Sequence, residues 1–188
     1  LPHGWTERIA PMIRRNPRYG VLGCWTFMPE DWNEVLAQRN IVRNGDDQVL
    51  RCVNIGGCAL LLRKDLVLRY ECIPRSHGFP IDQEKMSLDG LVVGYPLPLL
   101  FAHHMDDPRS EHCVMTRAGP LGEYSALTAR KHGFRSVEDY TKWIVADARE
   151  RQRLPFSWLL FWRALDRSTS LPVRLGRRLL RPLRPELP

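Results

Sequence analysis

Four groups of side chains in this sequence have types and spacings that chemistry can use. Asp82 and Glu84 stand two residues apart in His77-Gly-Phe-Pro-Ile-Asp82-Gln-Glu84. Carboxylates so placed can accept a proton or, in the first turn of a helix, complement its N-terminus. Gly56 and Gly57 are adjacent in Asn54-Ile-Gly-Gly-Cys. Two residues without Cβ atoms let a ligand approach the backbone and meet its N–H groups, and the same pair could equally form a bulge or tight turn. His103 and His104 are followed by Asp106 and Asp107. A neutral imidazole suits Mn2+ or Mg2+ only where carboxylates complete the shell, and a neighbouring aspartate can fix a histidine through its second ring nitrogen. Taken alone, these four side chains would suit a metal-dependent hydrolase. Trp25, in Leu-Gly-Cys-Trp-Thr-Phe, offers an aromatic face to a ring-shaped ligand, although its apolar neighbours fit a core position better.

The elements that must position these groups read as an α/β chain. Trp5, Ile9, Met12 and Ile13 recur at helical spacing, and Asn16-Pro17 ends that helix because proline disfavours the helical conformation in the residue before it. Tyr19 to Phe27 reads as a buried strand, so helix and strand form half of an α/β crossover. The polar stretch from Asp31 to Gln48 carries Asn44-Gly-Asp-Asp47, the tip of a loop or hairpin. From Val49 to Arg69 the order is strand, glycine pair, strand, helix. Phe79 to Leu88 predicts one or two helical turns carrying both acids. Gly90 to Ala102 reads as a buried or partly buried strand, with Pro96 and Pro98 confining that part to an edge or extended segment. Helical runs follow at Tyr124–His132, Val137–Arg153 and Pro155–Leu165, and Leu171–Pro188 is a Leu, Arg and Pro tail of partial order.

Several of these pieces, in this order, resemble the C-terminal half of a family 2 glycosyltransferase of the GT-A fold. Leu1-Pro-His-Gly-Trp5 is similar to the segment that follows the family's Asp-x-Asp metal motif, and Asn16-Pro-Arg-Tyr-Gly20-Val-Leu-Gly23 is similar to its Asp-Pro-x-x-Gly-x-x-Gly. Asn54 to Lys64 resembles the stretch at the acceptor floor, and Gly90 to His103 resembles the strand that delivers a metal- or diphosphate-contacting histidine. The resemblance implies the C-terminal portion of a three-layer domain with a mixed sheet over residues 1–115, a helical extension over 116–170, and a basic tail over 171–188. It implies inverting, metal-dependent transfer of a sugar from a nucleotide sugar donor to a hydroxyl of a saccharide or lipid-linked acceptor. Asp82 is the first choice of base, with Glu84 beside it; Gly56 and Gly57 shape the acceptor site, with Trp25 as a sugar platform; His103 or His104 approaches the divalent metal. Gln83 departs from the pattern, standing where many members have a second acid. The Asp-x-Asp itself would lie upstream of Leu1, so the 188 residues alone are expected to turn over little nucleotide sugar.

Composition narrows the alternatives. The chain is 44% hydrophobic with a net charge of +7, and ten arginines against three acids from Arg149 onward account for all of that charge. Basicity confined to one end argues against a specific nucleic-acid reader, whose footprint should lie across the folded body. The five cysteines are scattered with no Cys-x-x-Cys pair, which fits small core residues of a reducing cytoplasm. Trp158, Phe161 and Trp162 beside the terminal arginines suit either a partner surface or an interfacial helix at the inner face of an anionic membrane. A noncatalytic docking domain built on that tail is the main rival to an enzyme.

Overall fold

The computed structural model describes residues 1–56, 59–70, 82–103, 107–113, 133–153, 156–157 and 161. They form a mixed α/β body around a five-stranded sheet of order β2-β3-β5-β1-β4. The strands are β1 (Tyr19–Gly23), β2 (Ile41–Asn44), β3 (Asp47–Cys52), β4 (Leu60–Leu62) and β5 (Val92–Pro96). β1 and β5 are parallel, and the other three pairings are antiparallel. Central β1 and β5 are buried along their whole length, as continuous apolar runs require when helices cover both sides of a sheet.

The helices are α1 (Trp5–Arg15), α2 (Glu34–Ala37), α3 (Lys64–Arg69), α4 (Gln83–Leu88) and α5 (Val137–Arg153). α1 packs Ile9 and Met12 against Tyr19, Leu22, Val49 and Val92 on one face of the sheet. On the other, Leu66 of α3, Met86 of α4 and Ala148 of α5 join Val21, Leu50, Val93 and Tyr95. The apolar periodicity of α1 and the extended Asn16 that ends it agree with the sequence. So does the hairpin: Asn44 pairs with Asp47 across a two-residue loop, and Gly45 takes the left-handed φ of 57° that such loops favour.

Of the two readings of Pro96 and Pro98, the edge does not hold: β5 is paired on both sides, with Pro96 at its last position opposite Val49, where the ladder ends, and Pro98 follows it. The Leu97–Pro98 bond is cis. The polar stretch before the hairpin carries turns of 3-10 helix at Pro29–Asp31 and Gln38–Asn40 flanking α2.

α5 is bonded into the body. Gln152 is fully buried; its amide donates to the Asp31 carbonyl at 2.7 Å, and its side-chain oxygen accepts from the Asn33 N–H at 2.6 Å. Beside it, Arg109 reaches both carboxylate oxygens of Asp31 at 2.9 and 2.7 Å and both of Asp107 at 3.1 and 2.7 Å. The runs at Tyr124–His132 and Leu171–Pro188 lie outside the described residues, as does most of Pro155–Leu165. Among the described residues no helix is long and apolar enough to cross a membrane.

Candidate functional site

Trp25, Gly56 and His103 lie where the chain leaves the C-terminal ends of parallel β1 and β5, whereas Asp82 and Glu84 stand at the start of α4, which leads into β5. Beyond β1, the Trp25 N–H donates to the Leu100 carbonyl and the Ala102 N–H donates to the Trp25 carbonyl, both at 2.8 Å. This bridge holds the segment leading to His103 against the segment leading to Thr26.

The glycine-bearing segment enters from β3 and is fastened residue by residue. The Val53 carbonyl accepts from the Ser87 hydroxyl of α4 at 3.1 Å. Asn54 accepts from the Arg151 guanidinium at its backbone carbonyl, 2.7 Å, and at its side-chain oxygen, 2.8 Å. Ile55 is gripped twice by Gln83: its N–H donates to the side-chain oxygen at 2.7 Å, and its carbonyl accepts from the side-chain nitrogen at 3.1 Å. Gly56 is exposed beyond this grip. A Cβ built there would stand 3.4 Å from the Thr26 hydroxyl, an ordinary contact. Its φ is not positive and nothing crowds a Cβ there, so glycine at 56 is not required to relieve a clash, and its backbone interacts with the buried Tyr95 phenol. Gly57 lies outside the described residues.

Gln83 is thereby the link between the acids and the glycine segment. Asp82 is the N-cap of α4, its carboxylate accepting from the Lys85 N–H at 2.9 Å, as first-turn acids do. Glu84 follows in the first turn, and both acids are half-buried. The route from the acids to the imidazole therefore runs through Gln83 to Ile55 and Gly56, across to Thr26, and along the Trp25 bridge to Ala102 and His103.

His103 is exposed, and its ring meets that of His112 edge-on with centroids 3.9 Å apart. His104 and Asp106 lie outside the described residues. Asp107 is committed to Arg109, not to His103. Its side chain is 1% exposed and both its oxygens accept from Arg109, which removes it from a first metal shell and with it the four-residue hydrolase arrangement. Among the described residues no three His, Cys, Asp or Glu side chains converge as a metal site. His103 with the described residues around it does not by itself fit a Mn2+ or Mg2+ site, because no carboxylate pair accompanies it among them.

Trp25 requires a correction. Its ring is fully buried, with the rings of Phe27, Trp32 and Tyr95 at 5.0, 5.8 and 5.1 Å, so no face remains for a sugar. The turn beyond β1 directs it into the core cluster. Sequence reasoning also missed two residues. Gln83 looked like a departure from an acidic pattern, and Arg151 was counted with the basic end of the chain. Arg151 instead pairs with Asp147 at 2.9 Å beneath the glycine segment, its side chain 22% exposed. Around it, burial pushes the Cys52 thiol up to about 12 and raises the Tyr95 phenol well above its ordinary value, opposed in part by the Arg151 charge. The only signal for Arg151 was helical spacing: Asp147 lies four residues before it, the favourable order for an ion pair on a helix.

No protein-family model, curated protein or solved structure matches this chain.

Proposed function

We propose that the chain forms the acceptor side of a GT-A type glycosyl-transfer site, moving a sugar from a nucleotide diphosphate donor to a hydroxyl of a saccharide or lipid-linked acceptor. The observation that supports the reading is the double hydrogen bond of Gln83 to Ile55, which ties the turn bearing two carboxylates to the segment that carries exposed Gly56. Those are the groups an acceptor hydroxyl needs: a base, and a surface that a sugar can approach without meeting side chains.

In this reading Asp82 or Glu84 takes the acceptor proton as the oxygen attacks the anomeric carbon. The nucleotide diphosphate leaves from the opposite side with the electrons of the broken bond, so the anomeric centre inverts. A carboxylate near that carbon also opposes the positive charge that develops there. In this reading a nucleotide-holding part and the carboxylates of a metal shell would have to be supplied from outside the described residues. The terminal arginines and aromatics would hold such an enzyme at the inner face of an anionic membrane.

The test is backbone-amide NMR of the 188-residue chain with a panel of simple hexose and N-acetylhexosamine glycosides, and with UDP-glucose, UDP-N-acetylglucosamine and GDP-mannose in the presence of Mn2+. Saturable shifts shared by Gly56, Thr26, Glu84 and His103 are expected from at least one glycoside. Shifts scattered elsewhere, or none at millimolar ligand, would remove the reading.

A further inference from the structure

A groove of about 520 Å3 opens between α1 and edge strand β4, with Ala10 and Ile13 on one wall and Leu61 and Leu62 on the other. Pockets that take small ligands measure about 300–1,000 Å3. It lies toward the N-terminal part of β1, away from Thr26 and the Trp25 bridge, since Leu62 pairs with Val21 and the Arg63 N–H donates to the Gly20 carbonyl. At about 3.3 Å per residue along an extended chain, some 20 Å of backbone separates Gly20 from Thr26.

Three cations rim the apolar walls: Arg14, Arg63 and Lys64. Arg63 is already engaged, its guanidinium donating to the Asp65 carboxylate and the Pro17 carbonyl. Arg14 and Lys64 are exposed, and neither makes an ion pair with a described residue. None of the described residues lining the groove is acidic. The charge is thus one-signed and sits directly above leucine and isoleucine side chains.

We propose that this groove binds a single-chain amphiphile with an anionic headgroup, the alkyl chain lying on Ala10, Ile13 and Leu61 and the headgroup between Arg14 and Lys64. A small anion alone would leave the apolar walls in water, and a neutral amphiphile would leave two cations beside its head without a counter-charge. An alkyl phosphate or alkyl carboxylate satisfies both, and a guanidinium favours the phosphate because it can bind two of its oxygens at once. The site stands apart from the transfer reading and survives its failure.

The experiment is calorimetry and amide NMR on the full chain with n-decyl phosphate below its micellar concentration. Saturable binding of one ligand is expected, with shifts at Ala10, Ile13, Leu61 and Lys64. Affinity should rise about three- to fourfold for each methylene from octyl to decyl phosphate. The R14E/K64E variant, changed at two exposed positions, should bind at least about tenfold more weakly, since it replaces both attractive charges with repulsive ones. A10W, which fills the groove and keeps its cations, should weaken binding similarly. Decyl maltoside or inorganic phosphate binding as tightly as decyl phosphate would overturn the proposal. So would R14E/K64E and A10W affinities both within twofold of the parent, or shifts confined to Gly56 and Thr26.

Discussion

Replacing Gln83 with alanine should detach the glycine segment from the acid turn. The side chain makes two hydrogen bonds to one residue, 2.7 Å from the Ile55 N–H and 3.1 Å to its carbonyl, and Gln83 and Ile55 are only 8% and 5% exposed. A buried polar group left without a partner costs about 1–3 kcal/mol. Two such groups would cost about 2–6 kcal/mol, and water entering past exposed Gly56 lowers this to about 2–4 kcal/mol. For a chain of this size that is a fall in Tm of about 4–16 °C. Urea titration should show a lower midpoint with an unchanged slope, and the Ile55 amide should lose protection from hydrogen exchange beyond the global change. Q83E supplies a control with a sign. A carboxylate can accept from the Ile55 N–H but cannot donate to its carbonyl, whereas the protonated acid can do both. Burial raises the folded pKa of that acid, so its contribution is fully present below its unfolded value of about 4.3 and is lost as pH rises through the folded one. The stability gap between Q83E and the parent should therefore widen from about pH 4 toward neutrality. A Q83A loss under about 0.5 kcal/mol, with Ile55 exchange unchanged, would refute the assignment of the clamp to these two bonds.

The remaining predictions test the site and its supports. Gly56→Ala should leave stability within about 1 kcal/mol of the parent, since the position is uncrowded, while weakening any glycoside that shifts the Gly56 amide; equal losses in both would make the glycine structural. Gly94→Ala is the opposite case: its Cβ would lie 2.1 Å from the Leu50 carbonyl oxygen in the neighbouring strand, so urea unfolding should show a loss of about 1–3 kcal/mol or more. Arg109→Met leaves Asp31 and Asp107, with side chains 5% and 1% exposed, facing each other without a cation, and should cost about 3–5 kcal/mol at pH 7. Cys52, with its thiol pushed up from 9.0 to about 12, contributes stability that is whole below pH 9 and declines above it by about 1.4 kcal/mol per pH unit, which urea titrations of Cys52→Ala against the parent would resolve. Where transfer is reconstituted with a nucleotide-binding part, D82N or E84Q, whichever removes the base, should lower turnover about 10²- to 10⁴-fold, and D82N should do so without unfolding because asparagine caps as well as aspartate.

Local patterns were legible wherever one element decided them. The spacing of Ile9, Met12 and Ile13 gave α1, and Asn44-Gly-Asp-Asp47 gave the hairpin tip. The two acids were correctly placed at the start of α4. What escaped depended on partners far along the chain. Gln83 meets Ile55 across 28 positions, and Arg151 meets Asn54 across 97. Nothing in the local type of either residue records that partnership. Pro96 and Pro98 misled because proline is excluded from a ladder only where its N–H is needed, and β5 ends at Pro96. Trp25 was ambiguous for a related reason: a flanking run of apolar residues says that a chain is buried, but the turn after β1 decides which way the ring points.

The residue that broke the family pattern is the one that the local geometry most demands. Position 83 faces a backbone N–H and a backbone carbonyl of the same residue, in a space 8% exposed. Glutamine alone among the longer polar side chains carries an acceptor and a donor side by side at neutral pH, so it can pair with Ile55 as a neighbouring strand would. An ionised glutamate at 83 would set one of its acceptor oxygens against the Ile55 carbonyl, and a lysine would turn only donors toward the Ile55 N–H. In the proposed transfer reading the acidic role then falls to the positions on either side, where the chain can present a carboxylate without burying it unpaired. Asp82 is fixed by capping α4 and Glu84 by the same helical turn, so the grip that excludes an acid at 83 also orients the acids at 82 and 84.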